Sequence, residues 1–122
     1  MVKILVVDDE IEACNALKEF LVVKGHEVYT AQDGKTALDN VQKLRPQLVL
    51  LDMIMPGMNG MEVLKGIKKI DPQIGVIMVT VVTNEAQAKK ALELGAYDYI
   101  TKPVDLNYLD TVVMVKVLDY LK

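Results

Sequence analysis

The sequence predicts an α/β fold in which helices cover both faces of a parallel sheet. Apolar blocks of strand length recur five times, and longer amphipathic stretches separate them. Several of the blocks are apolar without alternation, the pattern of parallel strands buried on both sides. The first block is Val2–Val7, a run of Val, Ile and Leu broken only by Lys3. The second, Glu27–Thr30, alternates polar and apolar residues like an edge strand. Gln47–Leu51 and Ile74–Val79 are nearly continuous Val, Ile, Leu and Met and read as central strands, and Tyr97–Ile100 is the fifth.

The helices are expected at about residues 10–24, 34–44, 60–70, 85–94 and 106–121. Asn59 with Glu62 and Asn84 with Gln87 have the spacing of capping boxes, and Asp105 is the expected N-cap of the last helix. Gly25 and Gly95 stand where left-handed C-terminal caps belong, and Pro46 and Pro72 end the second and third helices. Crossovers between parallel strands are expected to be right-handed, but periodicity leaves the strand order open.

With 122 residues and no linker, repeat or low-complexity segment, residues 1–122 are expected to form one domain. A chain this long, 52% hydrophobic, buries roughly two-thirds of its unfolded surface and supports its own core. Its net charge of −3 and the lack of a basic stripe argue against direct nucleic-acid binding. A single Cys14 and a single His26 exclude an intramolecular disulfide and a Cys/His zinc site. Nothing resembles a signal peptide, and no apolar run reaches the roughly 18 residues of a membrane span. The expected location is therefore cytoplasmic, without membrane insertion.

Ligands of open parallel sheets bind beyond the carboxyl ends of the strands. Here those ends carry Asp8-Asp9-Glu10, Asp52, Thr80 and Thr101-Lys102-Pro103. Converging carboxylates repel one another and call for a proton or a cation, and a hard divalent ion such as Mg2+ suits an oxygen-only site. Asp52, ending a buried strand before a turn, is the candidate nucleophile. Lys102 and Thr80 can supply the positive charge and the hydrogen bond that a phosphoryl group on it would need. Taken singly, each residue has a plainer reading: Asp8 or Asp9 as a helix cap, Lys102 as a solvated charge, Thr80 as a turn residue. Their joint placement favours chemistry. Cys14 is expected to pack a helix, His26 to be a solvated turn residue, and Met53, Met55, Met58 and Met61 to fill the core.

Over essentially its whole length the chain resembles the receiver domain of bacterial two-component response regulators. The resemblance rests on Asp8 and Asp9 as the acidic pair, Asp52 as phosphoacceptor, Met55-Pro56 and Gly60 in the following loop, Thr80, and Lys102-Pro103. It implies a flavodoxin-like (βα)5 three-layer sandwich with strand order 2-1-3-4-5. It also implies Mg2+-dependent phosphoryl transfer to Asp52 from a sensor histidine kinase or phosphotransfer protein. Asp9 and Asp52 would then ligate Mg2+ directly, Asp8 mainly through water, and Ile54 through its backbone carbonyl. Lys102 would pair with the phosphoryl group and Thr80 would hydrogen-bond to it. Tyr99 would be the switch aromatic, altering the face made by the fourth helix, fifth strand and fifth helix. That face would meet a downstream protein, an output domain or a second copy in a homodimer.

The chain departs from the family pattern at four points. Val81 follows Thr80 where Ala, Gly or Ser is common, and its branched side chain is expected to narrow the phosphoryl pocket. Ile54 and Val82 occupy positions that influence dephosphorylation, and neither side chain can hydrogen-bond to an attacking water, so a long-lived acyl phosphate is expected. Val104 replaces the frequent Phe after Lys102-Pro103. The apolar stretch Val112–Leu118 is expected to pack on the sheet and leave some surface for a partner.

The preferred expectation is thus a signalling module that catalyses its own aspartyl phosphorylation and is not a metabolic enzyme. A phosphohydrolase of haloacid-dehalogenase type competes with it, but that pattern needs a second Asp where Ile54 stands. A receiver-like interaction module indifferent to phosphorylation, blocked by Val81, is a further alternative. A flavodoxin-like cofactor module fits poorly, because Asp8-Asp9-Glu10 would repel a phosphate.

Overall fold

The computed structural model describes residues 2–121. Ten elements alternate along the chain: β1 (Lys3–Val7), α1 (Ile11–Val23), β2 (Glu27–Ala31), α2 (Gly34–Leu44), β3 (Leu48–Leu51), α3 (Gly60–Ile70), β4 (Gly75–Thr80), α4 (Glu85–Glu93), β5 (Asp98–Thr101) and α5 (Leu106–Tyr120). The strands form one parallel sheet in the order β2-β1-β3-β4-β5, as the family resemblance implies. Strand ends differ from the sequence expectation by about one residue, the ordinary scatter of element boundaries.

Two-residue periodicity divides the core between the two faces of the sheet. Leu5, Val7, Val49, Leu51, Val76 and Met78 pack with Ala37 and Val41 of α2, Val63, Leu64 and Ile67 of α3 and Ala91 of α4. The alternate residues Ile4, Val6, Leu48, Leu50, Ile77 and Val79 pack with Cys14, Leu17 and Leu21 of α1 and Leu109, Val112, Val113 and Val117 of α5. A one-residue slip of any central strand would send each of its side chains to the opposite layer, so this pattern holds the register Leu5–Val49–Val76 across the sheet. The apolar run in α5 is thereby largely explained, with Val115 and Leu118 left exposed.

The helix ends follow local chemistry. Asn59 and Glu62 form a reciprocal capping box on α3, and Asp105 accepts from the amides of Asn107 and Tyr108 to cap α5. Asn84 caps α4 through the amides of Ala86 and Gln87, but no bond returns from the Gln87 side chain, so the expected box is half made. α2 is capped by Asp33, which accepts from the Thr36 amide at 2.8 Å. Gly25 and Gly95 take the expected positive φ beyond α1 and α4.

His26 corrects a sequence expectation. It is not a solvated turn residue but 5% exposed, and its Nδ1 accepts from the Val2 amide at 3.4 Å. The α1–β2 turn folds the ring inward beside the start of β1, a tertiary placement that the neighbouring Gly25 does not reveal. Cys14 and the methionines behave as expected: Cys14 is buried with α5 on one face of the sheet, and on the other Met53, Met55 and Met61 are buried with Met58 packed against their cluster.

Candidate functional site

The parallel ladder continues one residue past β1 and β3, and this extension builds the site. The Asp8 amide donates to the Ala31 carbonyl at 3.1 Å, and the Asp52 amide donates to the Val7 carbonyl at 3.0 Å. Both backbones are thus fixed at the rim while their side chains project beyond the strands. Asp8 and Asp52 are buried and Asp9 is exposed.

Each buried carboxylate divides its two oxygens in the same way. Asp8 Oδ1 accepts from the Glu10 amide at 3.0 Å and Asp52 Oδ1 from the Ile54 amide at 3.1 Å. The second oxygen of each meets one ammonium: Lys102 Nζ lies 2.5 Å from Asp8 Oδ2 and 3.0 Å from Asp52 Oδ2. Lys102 is itself tied to β4, its amide donating to the Thr80 carbonyl at 2.8 Å, and the following Lys102–Pro103 peptide bond is cis. Burial opposes the ammonium charge, but the bonds to Asp8 and Asp52 and their charges outweigh it and hold the Lys102 pKa above the ordinary lysine value.

Carboxylate oxygens of Asp8, Asp9 and Asp52 lie within 4.8 Å of one another. Three formal negative charges therefore face one bridging ammonium. The all-oxygen donors, the surplus of negative charge and the solvent access at Asp9 fit a hard divalent cation that retains waters. Ile54, whose amide is held by Asp52, lies in the turn just beyond β3.

Thr80 ends β4 and is fully buried; its Oγ1 accepts from the Val82 amide at 3.3 Å. The half-buried Tyr99 of β5 donates its hydroxyl to the Val82 carbonyl at 2.8 Å. Burial, then the charge of Asp52, push the Tyr99 phenol above its ordinary pKa. Val81, between Thr80 and Val82, is exposed.

Two contacts here were not anticipated from sequence. The Cys14 thiol lies 3.3 Å from the Asp8 carbonyl, so the packing residue of α1 also touches the acidic rim. Val82, singled out from sequence only for its side chain, meets Thr80 and Tyr99 through backbone groups that every non-proline residue carries, so no sequence signal could have shown these contacts.

The model of the response regulator receiver domain matches residues 4–114. The chain belongs to that family. It is 43% identical over 105 residues to sporulation initiation phosphotransferase F of Bacillus subtilis, covering 86% of this chain and 85% of that protein. Among solved structures, a CheY-like receiver domain protein from Methanospirillum hungatei is 30% identical with a TM-score of 0.93, covering 98% of this chain and 95% of that one. NtrX from Brucella abortus is 34% identical with a TM-score of 0.87 over 98% of this chain and 28% of the NtrX chain. This receiver domain is a signalling module of two-component phosphorelays, not a metabolic enzyme. No helix among the described residues is long and apolar enough to cross a membrane.

Proposed function

We propose that this receiver domain accepts a phosphoryl group on Asp52 from the phosphohistidine of a sensor kinase or phosphotransfer protein. The observation that carries this is Lys102 bridging Asp8 and Asp52 beside the exposed Asp9. An Asp52 carboxylate oxygen attacks phosphorus, the bond from phosphorus to the donor imidazole breaks, and the imidazole leaves as the neutral ring after taking up a proton. Asp8, Asp9, Asp52 and the backbone carbonyl of Ile54 would hold Mg2+, which when bound supplies positive charge for the phosphoryl oxygens.

The protein's own groups do the rest. Lys102 already contacts one Asp52 oxygen and is placed to follow the negative charge onto the phosphoryl group. Thr80 uses its oxygen as an acceptor for Val82, which leaves its hydroxyl proton for a phosphoryl oxygen. Tyr99 is the switch residue, and the face it serves is formed by α4, β5 and α5. Support for that face as the output surface comes from the exposed Leu92, Tyr97, Tyr108, Val115 and Leu118 and from the shallow anchoring of α4, whose one buried residue is Ala91. A downstream protein, an output domain or a second copy would bind there. In this reading residues 1–122 act as one receiver unit in the cytoplasm.

Intact mass after incubation with acetyl phosphate, in Mg2+ or in EDTA, tests the proposal. The expected result is one phosphoryl adduct that requires Mg2+ and is absent from Asp52→Ala. A folded wild type that gains no adduct from acetyl phosphate or from a phosphorylated histidine donor would overturn it.

A further inference from the structure

Away from the acidic rim, two buried polar side-chain atoms lack a hydrogen-bond partner among the described residues: Nε2 of His26 and Oδ1 of Asp110. Orphaned buried polar atoms are rare and call for a physical reason. They lie where the α1–β2 turn meets α5: Lys24, two residues before His26, reaches Asp110 with Nζ 3.6 Å from Oδ2, and Leu21, Val28, Leu109 and Val113 around them share one core cluster. One sits in the turn between α1 and β2 and the other on α5.

Their chemistry is complementary. Since His26 Nδ1 accepts from the Val2 amide, the neutral ring must carry its proton on Nε2. A donor and a carboxylate oxygen are thus both held out of water without being joined. We propose that His26 and Asp110 form a proton-operated clasp that exchanges an anchor on β1 for an anchor on α5. When a proton adds to Nδ1, that atom becomes a donor facing the Val2 N–H, and their hydrogen bond is lost. The ring, now a cation, donates through Nε2 to Asp110 Oδ1.

The charged groups around the ring set where the clasp operates. Burial and the positive amino terminus oppose the imidazolium, whereas Asp110 on α5 favours it. Lys24, just beyond α1, competes for the same carboxylate with its Nζ 3.6 Å from Asp110 Oδ2, but this pair is substantially exposed and therefore weak. The net balance holds the ring neutral at pH values where a free histidine is already half protonated.

Because His26 is the single histidine, its ring gives one unambiguous NMR titration. The expected midpoint lies below about 6.5, with the Val2 amide and the α5 amides flanking Asp110 moving at the same midpoint. Asp110→Asn should lower the midpoint by about half a unit or more and uncouple α5, while Lys24→Ala should raise it. His26→Asn keeps an acceptor for Val2 but no titrating group, and should abolish the α5 transition. The proposal is overturned if the α5 amides ignore the His26 midpoint, if Asp110→Asn leaves that midpoint unchanged, or if His26 stays neutral until acid unfolds the protein.

Discussion

Thr80 and Tyr99 are joined through a single residue: Val82 donates its amide to Thr80 Oγ1 and accepts the Tyr99 hydroxyl on its carbonyl. Any movement of Thr80 toward Asp52 must therefore act on the same peptide segment that holds the Tyr99 ring. Thr80→Ala should reduce phosphoryl adduct formation and release the Val82 amide to solvent exchange. Tyr99→Phe should leave adduct formation within about twofold while costing about 1 kcal/mol, the net value of one hydrogen bond. Mass spectrometry and urea unfolding on the two variants separate these effects, and an equal loss of adduct in both would contradict them.

Gly60 is required by close approach. A Cβ at this position would stand 2.3 Å from the Asp52 carbonyl oxygen and 2.6 Å from the Met53 Cα, both backbone atoms. Neither can give way without displacing the candidate phosphoacceptor. Gly60→Ala is expected to lower stability by about 3 kcal/mol or more, read as a fall in the urea midpoint at constant slope. In conditions where the variant remains folded, its adduct formation should also be slow.

The fold and the members of the site were legible because both rest on patterns written along one chain. Apolar blocks such as Leu48–Leu51 can be buried on both faces only in a helix-covered sheet, and the strand ends then bring Asp8, Asp52, Thr80 and Lys102 to one rim. The strand order came from resemblance, since periodicity alone cannot say which strands pair. What escaped depends on tertiary placement. The inward turn of His26 and the double use of the Val82 backbone arise from contacts between distant segments, and neither alters composition or period.

Binding of Mg2+ at the acidic rim should appear as stabilisation. At a free concentration ten times the dissociation constant, mass action contributes about 1.4 kcal/mol, which raises the melting temperature of a domain this size by roughly 5 °C. Asp9→Asn and Asp52→Asn should each lose most of that rise. Asp9→Asn should leave metal-free stability unchanged or slightly higher, because it relieves crowding with Asp8 and Asp52. Differential scanning calorimetry with and without EDTA gives both numbers, and an equal Mg2+ response in all three proteins would refute the site.

Folding stability should fall on acidification through the range set by His26. Its pKa is lower in the folded protein than in the unfolded chain, chiefly through burial. The unfolded state therefore binds more protons as pH drops below about 6.5, and the contribution fully present above that value is progressively lost. The slope of stability against pH between about 6.5 and 5 should be shallower in His26→Asn, as measured by urea unfolding at a series of pH values. A slope identical to wild type would assign the acid sensitivity to the carboxylates instead.

The surroundings of Asp52 should make its aspartyl phosphate long-lived. Ile54 is exposed two residues beyond Asp52, and Val82 lies two residues beyond Thr80 with its backbone already engaged by Thr80 and Tyr99. Neither hydrocarbon side chain can orient a water for attack on phosphorus, so the wild-type adduct should decay slowly in Mg2+. Ile54→Asn places an amide at the exposed position without disturbing the core and should shorten the lifetime. The gain should be about tenfold, short of the roughly 10²–10⁴ supplied by a positioned general base, because an amide can orient water but cannot take its proton. Loss of the adduct mass with time after removal of acetyl phosphate measures both rates, and equal decay in the two proteins would show that water is positioned from elsewhere.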